Sequence, residues 1–95
     1  MGETIAGFDW DDGNWPKCAK HGLTRREIES VFYGSPSIQP DPATAEQRLR
    51  AIGRSEEGRY VFAVFTLRVI GGRTFIRPIS ARYMHLKEIE RYEQG

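Results

Sequence analysis

Apolar positions in the second half of the chain alternate with polar ones over three runs, at about 47–54, 60–69 and 74–82, each rich in β-branched, aromatic or aliphatic residues. Ser55-Glu56-Glu57-Gly58 joins the first two runs and Gly71-Gly72 the last two, so the pattern predicts an antiparallel meander. In the middle run both parities are apolar, Tyr60, Phe62 and Val64 on one and Val61, Ala63, Phe65 and Leu67 on the other. That predicts a central strand covered on both faces. After it, Leu86, Ile89 and Tyr92 recur at helical spacing and predict a closing helix over about 85–94 that faces the sheet.

The first half reads differently. Gly7 to Trp10 predicts a short opening strand, and Asp11 or Asp12 stands where it could cap a short helix carrying Lys17, Cys18 and Lys20. Pro16 suits the first turn of that helix and Gly22 its end. A second helix starts at Leu23-Thr24-Arg25-Arg26-Glu27-Ile28, where Thr24 and Glu27 have the spacing of a capping box and Leu23 and Ile28 that of a hydrophobic staple. Ile28, Val31 and Phe32 form its apolar stripe and Gly34 ends it. Residues 34–46 hold Pro36, Pro40, Asp41 and Pro42 and predict a loop with one extended piece around Ser37 to Gln39. There is no internal repeat or linker. The expected fold is a single α+β domain over residues 1–95, an antiparallel sheet packed with two N-terminal helices and one C-terminal helix.

A two-residue turn at Gly71-Gly72 fixes the hairpin register: Ile70 faces Arg73, Arg68 faces Phe75 and Thr66 faces Arg77. Side chains alternate along strands, so Arg68 and Arg77 emerge on one face as diagonal neighbours, close enough to share a phosphate. Two such cations need an anion. It is either an external phosphate or a carboxylate of the chain, for example Glu46 or an acid of the closing helix. Strict alternation sends Arg82 to the opposite face from Arg77, but Pro78 lacks an amide hydrogen and sits badly in a regular central strand. A bulge near Pro78 that returns Arg82 toward Arg77 is therefore expected.

Charge sharpens this picture. A net charge of +1 conceals segregation: residues 1–16 hold Glu3, Asp9, Asp11 and Asp12 with no Lys or Arg, while residues 48–82 hold eight arginines against Glu56 and Glu57. Arginine stays charged and presents a planar fork to phosphate, which points to a polyanion site, although strand arginines also serve as solvated lining or shield an edge. Hydrophobic residues make up 39% and no apolar run approaches the roughly 20 residues that span a bilayer, so a soluble, non-membrane protein is expected. One cysteine, Cys18, and no leader-like start make a reducing cytoplasm the default, and a metal site built on cysteine pairs is excluded. Cys18 itself reads as packing.

His21, between Lys20 and Gly22 at a polar helix end, has the ordinary chemistry of a proton donor or acceptor near neutrality. A cation at a helix C-terminus also has a purely local role, and both readings stay open. His85, three residues before Glu88, reads as a cap or a second proton-transfer group.

An ordered set of residues then carries a resemblance. Phe8-Asp9-Trp10-Asp11, Lys17-Cys18-Ala19-Lys20-His21-Gly22-Leu23-Thr24, Arg48 with Ile52-Gly53-Arg54, Thr66 with Arg68, Arg77-Pro78-Ile79-Ser80-Ala81-Arg82 and Arg91-Tyr92-Glu93 resemble the BrnT-type toxins of bacterial type II toxin-antitoxin modules over nearly the whole chain. The resemblance implies a RelE-like ribonuclease fold and inhibition of translation by RNA cleavage. It also implies neutralisation, in a toxin-antitoxin hetero-oligomer, by a co-encoded DNA-binding (BrnA-like) antitoxin that represses the shared promoter. The family's charged motif residues fall on Lys20, His21, Arg48, Arg54, Arg68, Arg77 and Arg82. Lys17, Pro78 and His85 depart from the residues usual in the family, which bears on substrate placement rather than on fold.

The chemistry expected from these residues needs no metal or other cofactor, because RNA supplies its own nucleophile in the 2′-hydroxyl. His21 would act as base or acid, Arg77 and Arg82 would stabilise charge at phosphorus, and Lys20, Arg48, Arg54 and Arg68 would hold RNA. The alternative is a non-catalytic RNA-binding or protein-interaction module that uses the same arginine-rich face.

Overall fold

Gly71 and Gly72, at φ 59° and 78°, supply the left-handed backbone that a two-residue hairpin turn requires, and the longest strands of the molecule run into and out of this turn. In the computed structural model, which describes residues 4–41 and 47–94, β1 is Ile5–Phe8, α1 Arg25–Tyr33, β2 Ser37–Pro40, β3 Leu49–Arg54, β4 Tyr60–Ile70, β5 Arg73–Tyr83 and α2 Leu86–Glu93. A 3-10 helical turn at Lys17–His21 precedes α1. The predicted pairs Ile70–Arg73, Arg68–Phe75 and Thr66–Arg77 are all present, and β3, β4 and β5 form the expected meander. Of the proposed loop, the extended piece is β2, paired antiparallel with β3; Pro42 and Glu46 lie outside the described residues.

Several expectations need correction. The sheet is mixed: its order is β1-β5-β4-β3-β2, and β1 runs parallel to β5, with Ile5 beside Thr74 and Phe8 beside Ile76. Alternation in so short a strand specifies a face to bury but neither an edge nor a direction. The first predicted helix is only the 3-10 turn, led by Pro16 with no side-chain cap, so one α-helix rather than two precedes the meander. Asp11 is diverted from capping: its carboxylate accepts from the Gly13 N–H at 2.7 Å and engages Arg77. The opening strand ends at Phe8 rather than Trp10.

β4 is central, as expected, but only one of its faces is deeply buried. Val61, Ala63 and Phe65 lie beneath α1, whereas Tyr60, Phe62 and Val64 are half-buried and Leu67, Val69 and Ile70 are exposed. The core is closed by Leu23, Ile28 and Val31 from the α1 side against Ala51 and the buried residues of β4, with Cys18 packed beside them. Thr24 caps α1, its hydroxyl accepting from the Glu27 N–H at 3.0 Å. The Glu27 carboxylate does not complete the box. It turns inward, where it accepts from the Tyr83 hydroxyl at 2.6 Å. Gly34 ends the helix as expected.

α2 differs from its expectation in how it is held. No residue of it is fully buried and Leu86 is 70% exposed, so its apolar stripe is only partly covered by the sheet. Tyr92 meets Tyr60 edge to face at 5.8 Å, and carboxylates make the other attachments described below. His85 stands at the N-cap position, where its N–H donates to Glu88 at 2.8 Å.

Candidate nucleic-acid interface

In β5 the register skips one residue: Phe65 pairs with Pro78 and Val64 with Ser80, leaving Ile79 as the extra residue of a bulge. Arg77 pairs with Thr66 and Arg82 with Phe62, residues of the same parity in β4, so both arginines emerge on one face. The expected bulge at Pro78 is present and has the expected effect. Arg68 shares that parity, and β3 adds Arg50 opposite Val64 and Arg54 opposite Tyr60. The face turned away from α1 therefore gathers Arg50, Arg54, Arg68, Arg77 and Arg82.

Aromatic rings seat several of these cations. The Arg82 and Arg50 guanidiniums lie 4.8 and 5.6 Å from the Phe62 ring centroid, and Arg54 lies 4.7 Å from that of Tyr60. A planar cation over a ring and a base over a ring use the same surface, so the Phe62–Tyr60 row suits unpaired nucleotides.

Each of the five arginines also has a carboxylate partner. Arg77 forks onto Asp11 at 2.9 and 3.1 Å and reaches Asp9 at 3.2 Å, and Arg68 bonds the same Asp9 oxygen at 3.2 Å. Among the described residues the anion between Arg68 and Arg77 is thus Asp9, rather than an acid of α2. Arg82 forks onto Glu88 at 2.8 and 2.9 Å, Arg54 lies 3.6 Å from Glu93, and Arg50 lies 3.6 Å from Asp41. The Arg77 fork holds the Asp11 carboxyl below its usual range, and the Arg82 fork with the His85 N–H brings Glu88 down to about 2. Both arginines are pushed above their ordinary value by the same bonds.

Asn14 ties this arrangement together. Its amide accepts from the Asp11 N–H at 2.8 Å and donates to the carbonyls of Asp9 at 2.9 Å and Pro78 at 2.8 Å, linking the acidic loop to the bulge.

Of the residues expected at the site, Arg54, Arg68, Arg77 and Arg82 share the face. Lys20 and His21 are exposed at the end of the 3-10 turn, which packs on β5. Among the described residues no hydrogen bond or ion pair joins His21 to Arg77 or Arg82. Arg48 lines a cavity with Pro40, Asp41, Leu49 and Leu67. Arg50, Phe62 and Tyr60 belong to the face although they were not expected there. The parity that Arg50 shares with Arg54 was a readable signal. Asn14 carried none, since a lone polar residue near turn signals is ordinary.

Among the described residues no group of three or more His, Cys, Asp or Glu side chains is placed to hold a metal ion, and no helix is long and apolar enough to cross a membrane. Residues 10–88 match the family model described as ribonuclease toxin, BrnT, of type II toxin-antitoxin system. No curated protein matches the chain.

Proposed function

The chain belongs to the BrnT family of ribonuclease toxins of type II toxin-antitoxin systems, a membership that brings an antitoxin partner and an RNA target, and from that premise we propose a metal-independent endoribonuclease that arrests translation. It would act in the cytoplasm on a RelE-like scaffold and be held in check by a DNA-binding, BrnA-like antitoxin in a hetero-oligomer.

The observation that carries this reading is the convergence of five arginines and two aromatic rings on one sheet face. In the proposed reaction the RNA 2′-oxygen attacks the adjacent phosphorus, the bond from phosphorus to the 5′-oxygen breaks, and a 2′,3′-cyclic phosphate and a 5′-hydroxyl result. One proton leaves the 2′-hydroxyl and one joins the departing oxygen. His21 is the group proposed to move a proton in this exchange. Arg77 and Arg82 stabilise the charge added at phosphorus, where loss of one preorganised donor costs about 10²-fold in rate. Lys20, Arg48, Arg54 and Arg68 hold neighbouring phosphates. An incoming phosphodiester takes the place of a carboxylate at Arg82 and Arg54, exchanging one single negative charge for another.

One observation favours a second reading. Since each of these five guanidiniums already has a carboxylate partner, the array also suits a non-catalytic RNA- or protein-binding module. Expression without antitoxin separates the two. A ribonuclease toxin arrests growth, and His21→Ala or Arg82→Ala, folded by circular dichroism, relieves the arrest. Growth unaffected by the wild-type chain at equal expression favours the binding module.

A further inference from the structure

Four of the five arginines take their carboxylates from two elements that differ in how firmly they are tied. Asp9 and Asp11, on Arg68 and Arg77, belong to the loop that the buried Asn14 fastens to the bulge of β5 through the Pro78 carbonyl. Glu88 and Glu93, on Arg82 and Arg54, belong to α2, which has no such fastening. It has eight residues, too few to stay helical in water by themselves, and none of them is fully buried. Its seat leaves an open cavity of about 340 Å³ bordered by Leu86 and Ile89 of the helix and Tyr60 and Tyr83 of the sheet. What holds it down is the Glu88 fork on Arg82 at 2.8 and 2.9 Å, Glu93 at 3.6 Å from Arg54, the Tyr60 hydroxyl donating to Glu93 at 2.9 Å, and the Tyr92 ring against that of Tyr60. Ion pairs between partly exposed side chains stabilise little and are screened by salt.

Each of those contacts uses a group that the proposed RNA site also uses. Arg82 stands on β5 opposite Phe62 and Arg54 on β3 opposite Tyr60, so the two guanidiniums flank β4 across two strand spacings, about 10 Å. Glu88 and Glu93 are five residues apart, about 7.5 Å along the helix, and bring one negative charge to each. A single strand of RNA crossing the face brings the same groups: one negative charge per nucleotide for the cations, and a base for Tyr60 in place of the Tyr92 ring. We propose that α2 is a displaceable strap, closed over the face in the free chain with Glu88 and Glu93 in the places of two phosphates, and that RNA binding lifts it. This rests on the reading of the face as an RNA site. The strand and the strap exclude each other, so the apparent affinity for RNA is set by the fraction of chains in which the strap is open. The acidic loop keeps its hold on Arg68 and Arg77 while Arg82 and Arg54 change partners.

The test is hydrogen exchange of the full chain with and without a short 2′-O-methyl oligoribonucleotide, which keeps the phosphates and bases of RNA but not the attacking hydroxyl. Binding of the same probe, labelled for fluorescence anisotropy, is measured to the wild-type, Glu88→Gln and Glu90→Gln proteins. Glutamine at 88 keeps an oxygen for the His85 N–H, so the start of the helix is preserved while the charge on Arg82 is lost. Glu90 is exposed on the same helix and, among the described residues, makes no ion pair with the face, so its variant controls for the loss of one negative charge. The expected result is faster exchange of the α2 amides when the probe is bound, with β3, β4 and β5 no faster, and binding about 5-fold or more tighter in Glu88→Gln but within about twofold of wild type in Glu90→Gln. Binding that leaves exchange in α2 unchanged or slowed overturns the strap and leaves the RNA site standing, as does equal tightening in the two variants. Binding by none of the three proteins overturns the RNA reading and the strap with it. Release of α2 on binding, without cleavage of the unmodified RNA, supports the strap and speaks against the catalytic reading alone.

Discussion

Replacing Asn14 by alanine tests how the acidic loop is held to the bulged strand. Asn14 is 2% exposed, and its amide makes three hydrogen bonds at 2.8–2.9 Å, one of them to the carbonyl of the buried Pro78. Each contributes about 1 kcal/mol net, so their joint loss costs about 3 kcal/mol, and more wherever water fails to reach the orphaned groups. Against a total stability of about 5–15 kcal/mol this is a large fraction. It corresponds to a fall in Tm of about 12–24 °C for a domain of this size. Asn14→Asp keeps the acceptor for the Asp11 N–H but turns a carboxylate oxygen toward two carbonyls, so it is expected to be no better than alanine. Urea unfolding followed by tryptophan fluorescence is the assay, because Trp10 and Trp15 lie edge to face at 5.4 Å beside this loop. The midpoint should fall with an unchanged slope. A loss below about 0.5 kcal/mol in Asn14→Ala, the level of an ordinary surface substitution, would refute the reasoning.

Tyr83→Phe removes the donor to Oε1 of Glu27, a carboxylate only 7% exposed, and should cost about 1–3 kcal/mol in the same urea experiment; an unchanged midpoint would mean that Glu27 finds water or another donor. Glu88 titrates at about 2 in the folded protein against an ordinary 4.5, so its contribution to stability is present above about pH 4.5 and fades as pH falls through about 2. Carbon-detected NMR titration should place its midpoint near that value, and Arg82→Met should return it toward the ordinary one. Burial pushes the Cys18 thiol up, so a disulfide reagent at pH 8 should label it slowly in the native protein and rapidly in urea; equal rates would contradict its place in the core.

The elements legible in the sequence were those whose cause is local. Gly71-Gly72 sets the β4–β5 register because a two-residue turn leaves no freedom in it, and Thr24 with Leu23 and Ile28 marks the start of α1 within six residues. Pro78 announces the bulge because a proline in a central strand must break the ladder somewhere near itself. What escaped depends on distance along the chain. Asp9 and Asp11 are 66–68 residues from Arg77, and nothing in alternation or spacing tells that β1 lies against β5 and delivers both acids to that guanidinium. α2 misled for a related reason: Leu86, Ile89 and Tyr92 have the spacing of a buried stripe, but the carboxylates of Glu88 and Glu93 anchor the helix to Arg82 and Arg54 instead.

Cleavage of a defined RNA by purified protein freed of antitoxin, in the presence of EDTA and beside His21→Ala and Arg77→Ala controls, tests the central claim most directly. The account predicts products ending in a 2′,3′-cyclic phosphate, formed by the wild-type protein and slowed about 10²-fold or more by each substitution. Cleavage by Arg77→Ala at the wild-type rate, or products ending in a 3′-hydroxyl, would contradict it.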